Sequence, residues 1–228
     1  MCGAWYNNFV LMDADKEYNE KYIEAKERQA SLHKTTGAQD TKHSLRLPPG
    51  QILTDKFPIL DLGIRPTREQ YSKWAVKFSG LVENPKTFTL EEIKKINKDE
   101  RMLDFHCVTR WSRYDLNWGG VLFSKMMNSI GIKMEAKFVV FHSYDDYTTN
   151  VPLEEAMASD VLIAYELEGK EIPPEHGGPV RMIVPGLYGW KSAKFLTGVE
   201  LLVGDAPGFW EVRGYNNHAD PWLEERYS

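Results

Sequence analysis

The chain has 228 residues, 42% of them hydrophobic and 27% charged, with a formal net charge of −5. That length suffices for one large domain or two small ones with a sizeable core, and the composition is that of an ordinary soluble globular protein. The acidic balance excludes a general nucleic-acid binder while leaving room for a local cationic pocket, and no apolar stretch approaches the ~20 residues of a membrane span.

Cys2 and Cys107 are the two cysteines. They are far apart and form no CxxC, which favours a reducing compartment. The N-terminus has no basic region and soon turns acidic, so it does not read as a signal peptide. A cytoplasmic location is the expectation. Seven Trp, eleven Tyr and ten Phe, many near Gly and Pro, predict a packed, loop-rich body filled by large rings.

In chain order, residues 13–33 are rich in Glu, Lys and Ala and predict a helix capped by Asp13 or Asp15. Residues 34–46 are polar. At RLPPGQ (46–51) the texture changes, and short extended segments dominate from there. WAVKFSG (74–80) alternates like a strand ending in a turn. TFTLEEIKKI (87–96) reads as a strand edge followed by a capped helix from Leu90. GGVLFSKMMNSIG (119–131) predicts a helix closed by Gly131. Residues 136–144, 161–169, 179–185 and 194–204 predict buried strands, the second turning at Glu168 and Gly169. The tail from Gly208 carries Trp210, Tyr215, Trp222 and Tyr227 and should pack on the core. The expectation is α+β: one mixed, β-rich domain over 46–228 with a helical, polar N-terminal extension over 1–45.

Three stretches are candidates for chemistry. In FHCVTRWS (105–112), Cys107 stands near His106, Arg110 and Arg113. A lone free cysteine is most often a small buried hydrophobe, but cations facing it would lower the thiol pKa. One cysteine cannot hold zinc or an iron–sulfur cluster, and on a strand His106 would point to the opposite face. A metal brought by an organic cofactor, with Cys107 its single protein ligand, fits better than a protein-only site.

The second stretch is IPPEHGGPVRMIVPGLYGWKSAKFL (172–196). A strand delivers the chain into a turn at Gly186–Gly189, followed by Lys191, Ser192 and Lys194. The spacing of a nucleotide-binding P-loop fails, because Trp190 separates Gly189 from Lys191. Backbone N–H groups, a hydroxyl and two lysines make an anion-binding nest; a plain turn with solvated lysines competes equally. His176 and Arg181 flank Gly177–Gly178–Pro179. The third stretch (142–160) places Ser143, Tyr144, Asp145 and Asp146 after a buried strand, where a strand end meets a pocket. Its acidic spacing is not that of a calcium loop.

These stretches, in this order, resemble the molybdenum-cofactor domain of the sulfite oxidase superfamily over roughly residues 46–225. HGGPVRMIVPGLYGWKSAKFL is similar to that family's pterin-binding segment, and CVxxWS is closer to bacterial methionine-sulfoxide-reductase catalytic subunits than to sulfite oxidases proper. RLPPGQ, DLGIRP, GFWEVRGY and DPWLEERY resemble a small sulfite oxidase-like branch. The resemblance implies molybdopterin, without an attached nucleotide, with Cys107 as molybdenum ligand. It implies pterin contacts at His176, Arg181, Ser192, Ala193 and Lys194. Ser143 falls where the family uses Thr or Asp near the metal, and Asp61 and Gly63 fall near an N-terminal pterin contact.

Two-electron oxygen-atom transfer on a small S=O- or N=O-type substrate is the implied reaction. Arg110 and Arg113 are candidates for binding the substrate, and Tyr144 and Tyr188 for donating a hydrogen bond near the metal. No haem motif is present, so a separate electron-transfer partner is expected, with neither nucleic acid nor membrane. A non-catalytic molybdopterin carrier of the same fold is the alternative; a cofactor-free protein with a buried core thiol is a third reading.

Overall fold

The computed structural model describes residues 20–31 and 46–228. In chain order its elements are α1 (Glu20–Ser31), β1 (Ile52–Leu53), α2 (Arg68–Tyr71), β2 (Ala75–Gly80), β3 (Lys86–Thr89), α3 (Leu90–Lys95), β4 (Asp99–Cys107), β5 (Trp111–Leu122), α4 (Phe123–Ile130), β6 (Phe138–Ser143), β7 (Thr148–Pro152), α5 (Leu153–Ala156), β8 (Leu162–Leu167), β9 (Lys170–Glu171), β10 (Arg181–Ile183) and β11 (Leu196–Leu202). One sheet runs β1-β5-β8-β10, with β4 paired to β5 and β9 to β8; the other runs β3-β2-β11-β6-β7. A large apolar cluster joins them, drawing Val121, Ile163 and Met182 from the first sheet and Phe78, Phe141 and Val199 from the second. The α+β, strand-dominated reading therefore holds. Asp13 and Asp15, and the polar stretch up to residue 45, lie outside the described residues.

Local chemistry explains the elements that were legible. Thr89 caps α3: its Oγ1 accepts from the Glu92 N–H at 3.2 Å while the Glu92 carboxylate accepts from the Thr89 N–H at 2.9 Å. This reciprocal box satisfies two otherwise orphaned donors. In α4, Phe123, Met126, Met127 and Ile130 are buried, the spacing of one helical face.

The segment 119–122, predicted as the start of a helix, is the end of β5, and the helix begins only at Phe123. The reason is a close backbone approach. A β-carbon on Gly120 would stand 2.2 Å from the Ile163 carbonyl oxygen on β8, so the glycines serve sheet packing here. β4 was missed because it opens with charged, partly exposed residues, DERM, whose periodicity is weak. The two strands pair antiparallel from Asp99↔Gly120 to Cys107↔Trp111. Arg110 takes a left-handed φ of 69° in the turn between them.

Candidate active site

Cys107 is the last residue of β4 and is buried. Its carbonyl oxygen accepts from Gln51 Nε2 at 3.0 Å and from the Arg110 N–H at 3.1 Å, which ties down the hairpin end. Its Sγ lies 3.1 Å from Thr109 Oγ1. His106 is buried, with Nδ1 2.8 Å from Ser112 Oγ and its ring edge-on to Trp222. Burial pushes that imidazole down to about 4, so it is neutral at physiological pH.

The thiol faces a cavity of about 720 Å³, part of it open to solvent. Loop 57–62, the β4–β5 hairpin, the turn after β6 and the β10–β11 connection surround it. Its far end is cationic. Arg181 is only 2% exposed. Its guanidinium donates to the carbonyls of His176 (2.7 Å), Ser192 (2.9 Å) and Met182 (3.3 Å) and lies against the rings of Phe105 and Trp118. Burial alone lowers it to about 9, with no carboxylate opposing that shift. Beside it, the His176 ring stacks on Phe57 at 4.5 Å. Burial, then Lys194 and Arg181, push His176 down to about 4. Lys194 donates to the Glu175 carbonyl at 2.7 Å and sits 3.7 Å from the Asp61 carboxylate. A buried guanidinium held only by dipoles is costly unless an anion joins it. The cavity thus offers a thiol, a cationic end and aromatic walls, a donor set that fits an anionic, ring-bearing, metal-carrying cofactor.

Of the residues picked from sequence, Asp61, Cys107, His176, Arg181, Ser192, Ala193 and Lys194 line this cavity together. Gly63 does not, but its N–H donates to Asp61 Oδ1 at 3.0 Å and shapes the loop presenting that carboxylate. Ser143 is buried behind the wall with an unpartnered Oγ. The Tyr144 hydroxyl accepts from Gln70 Nε2 at 2.8 Å, away from the cavity lining. Tyr188 is fully buried and stacks on Trp190. Arg110 sits in the hairpin turn, and Arg113 pairs in register with Phe105; neither lines the cavity.

The nest expected from two lysines is half corrected. Lys191 is fully buried, ion-paired to Glu211 at 2.7 Å and bonded to the carbonyls of Asn150 and Asn217. It braces the core.

Asp145, expected only to stand where a strand end meets a pocket, lines the cavity together with Asp61. Asp145 is 3% exposed, and burial pushes its carboxyl up to about 7 against the N–H of Tyr147. Asp146, at φ 61°, closes the turn that swings Asp145 inward; alternation along β6 carries no trace of that turn. The walls Phe57, Trp111, Trp190 and Trp210 were signalled only by the aromatic richness of the chain.

Comparison with known proteins agrees with this geometry. Residues 63–210 match the family described as "Oxidoreductase molybdopterin binding domain", and the chain belongs to that family of sulfite oxidase-like, molybdenum-cofactor oxidoreductases. Among its relatives is a Bacillus subtilis protein named "Uncharacterized oxidoreductase YuiH", 40% identical over 190 residues, covering 83% of this chain and 96% of that one. The methionine-sulfoxide reductase catalytic subunit MsrP of Campylobacter jejuni is 30% identical over 155 residues, covering 60% of this chain; this chain spans 52% of that relative. The crystal structure of the sulfane dehydrogenase SoxCD from Paracoccus pantotrophus superposes with a TM-score of 0.55 at 20% identity, over 67% of this chain and 45% of that one. At that identity the likeness speaks for the fold.

Proposed function

We propose that this enzyme catalyses oxygen-atom transfer on a small S=O- or N=O-type substrate, with Cys107 as the protein ligand to molybdenum. The observation that carries this reading is that the Cys107 thiol and the uncompensated Arg181 guanidinium open on one cavity. When bound, the molybdenum cofactor supplies the two-electron redox change and the exchangeable oxygen.

The chain's own groups do the rest. Arg181, Lys194 and His176 would hold the cofactor's anionic end, and the Phe57 and Trp190 rings would exclude water from its faces. The Ser192 hydroxyl oxygen accepts from the Val184 N–H at 2.9 Å, so it stiffens the wall at Ala193. Asp145, poised near neutrality, would hold or release a proton at the cavity edge.

Electrons are proposed to pass to or from a separate partner. The name "catalytic subunit" borne by the methionine-sulfoxide reductases supports that division of labour. A cytoplasmic location is part of this proposal, to be checked by cell fractionation.

The test is elemental analysis of protein made in a molybdate-supplied, cofactor-competent host, beside Cys107→Ser. Near-stoichiometric molybdenum in the natural chain and its loss in the variant, with turnover of a sulfoxide, N-oxide or sulfite against a redox dye, is the expected result. Metal-free natural protein would overturn it, and bound pterin without turnover would make the protein a carrier.

A further inference from the structure

The pieces of chain that wall the cavity are not held alike. The β4–β5 hairpin is paired along its length. The turn after β6 is closed by the Ser143 and Tyr144 N–H groups, which donate to the Tyr147 and Phe195 carbonyls at 2.9 Å each. Around the β10–β11 connection, the N–H groups of Met182, Phe195 and Leu196 donate to the carbonyls of Ala193, Gly177 and Val180. By contrast, residues 55–66 belong to no helix or strand and make no backbone–backbone hydrogen bond among the described residues.

That segment is pinned at both ends. The Ile52 and Thr54 N–H groups donate to the Arg110 and Ser112 carbonyls at 2.9 Å each, tying β1 to the hairpin. Beyond Thr67, Gln70 Nε2 donates to the Tyr144 hydroxyl at 2.8 Å, and the Tyr71 hydroxyl donates to the Gly178 carbonyl at 3.1 Å. Between these anchors, side chains hold the segment to the body. Leu62 is 4% exposed and joins the core, the Phe57 ring stacks on His176, and the Asp61 carboxylate lies 3.7 Å from the Lys194 ammonium. A stretch held by few side chains and no backbone ladder stands at the low-stability end of a fold, where local opening comes first.

Two of the residues it touches, His176 and Lys194, belong to the cationic end of the cavity. Arg181, at the same end, is 2% exposed. A ring-bearing anion reaches that guanidinium only if a wall moves, and the segment 55–66 is the wall that moves without breaking backbone bonds.

We propose that residues 55–66 form a strap that opens about Thr54 and Thr67 to admit the molybdenum cofactor and then closes over it, with Phe57 and Leu62 as the clasp. This rests on the cofactor-binding part of the proposed function and not on its chemistry. An open strap gives the empty chain a way to be filled; a closed one keeps the cofactor from washing out.

The experiment is limited thermolysin digestion of the 228-residue chain, made in hosts that supply or lack the cofactor, with cut sites read by mass spectrometry. Cutting before Phe57, Ile59, Leu60 or Leu62 reports strap opening, because a protease needs an opened stretch of chain. The loop 131–137 between α4 and β6, which carries the 98%-exposed Met134, is the reference. Strap cutting should be about tenfold or more faster in the cofactor-free chain, with cutting at 131–137 the same in both forms. Phe57→Ala should speed strap cutting further and make the loaded protein lose molybdenum faster on gel filtration, while Phe57→Tyr should behave like the natural chain. Asp61→Asn takes the place of Phe57→Ala if the melting midpoint of the latter shows it unfolded. Equal strap cutting in the two forms, or an equal slowing of both sites on loading, would overturn the proposal. Molybdenum content separates the failures. A metal-free chain from the cofactor-supplying host sinks the proposed function and the strap's role with it, whereas full metal with unchanged strap cutting sinks only the strap.

Discussion

Arg181 donates from Nη2 to the carbonyl oxygen of Ser192 at 2.9 Å, and no carboxylate stands among the partners of that fully buried cation. The guanidinium stitches β10 to the β10–β11 connection, and its remaining donors face a cavity that also contains a thiol. Arg181→Met should therefore have two effects. Three backbone carbonyls lose their donor, so the fold should weaken by about 2–4 kcal/mol, visible in urea unfolding. Cofactor occupancy, read from molybdenum content, should fall at least tenfold even in protein that folds. Full occupancy in that variant would show that the buried charge serves only to stitch.

The carboxyl of Asp145 sets a pH dependence. Its folded-state value of about 7 lies above its ordinary value of 3.8. The folded state thus holds an extra proton between those values. Stability from this group is fully present below about 3.8 and is lost as the pH rises through 7. Asp145→Asn cannot ionise, and its amide oxygen still accepts from the Tyr147 N–H. It should raise the unfolding free energy at pH 8 by on the order of 1–3 kcal/mol and change it little at pH 4. Urea midpoints at both pH values check this, and equal effects at the two would refute it.

Gly189 tests whether the aromatic wall is rigid. A β-carbon there would lie 2.4 Å from Phe105 Cε1 and Cζ. Phe105 stands two residues before Cys107 on β4 and lines the cavity. Gly189→Ala should push that ring into the cofactor space, costing about 1–3 kcal/mol in overpacking. Molybdenum occupancy should drop while secondary structure by circular dichroism stays unchanged.

Lys191 should prove structural. Its fully buried pair with Glu211 also engages Asn150 and Asn217, while Glu211 Oε1 accepts from Trp190 Nε1 and Thr149 Oγ1 at 2.9 Å each. Lys191→Met leaves a buried carboxylate without its cation and should cost about 3–5 kcal/mol. Adding Glu211→Gln should recover part of that loss. A variant that melts like the natural chain but fails to bind the cofactor would restore Lys191 to an anion-binding role.

Much of this molecule was written in its linear order. Apolar runs marked β6 and β8, which are buried along most of their length, because a strand covered on both faces must be largely apolar. The Thr89–Glu92 box marked the start of α3 through chemistry confined to four residues. Cys107 and the spacing from His176 to Lys194 pointed to metal and anion chemistry, since few residue types can perform it.

Other features depended on partners distant in sequence. The glycines at 119–120 read as a helix start until β8 packed against them. Asp145 became a cavity acid through a turn and a desolvated environment. Lys191 was drawn from the expected nest by Glu211, 20 residues on in the chain. Arg226 lay within DPWLEERY with no role assigned to it, and only the fold brings it and Arg110 beside Gly50. Electrostatic environment is a property of three-dimensional neighbours. The sequence by itself determined which groups were available and which strands would form; only the tertiary structure decided which charges were left unanswered, and there the chemistry is placed.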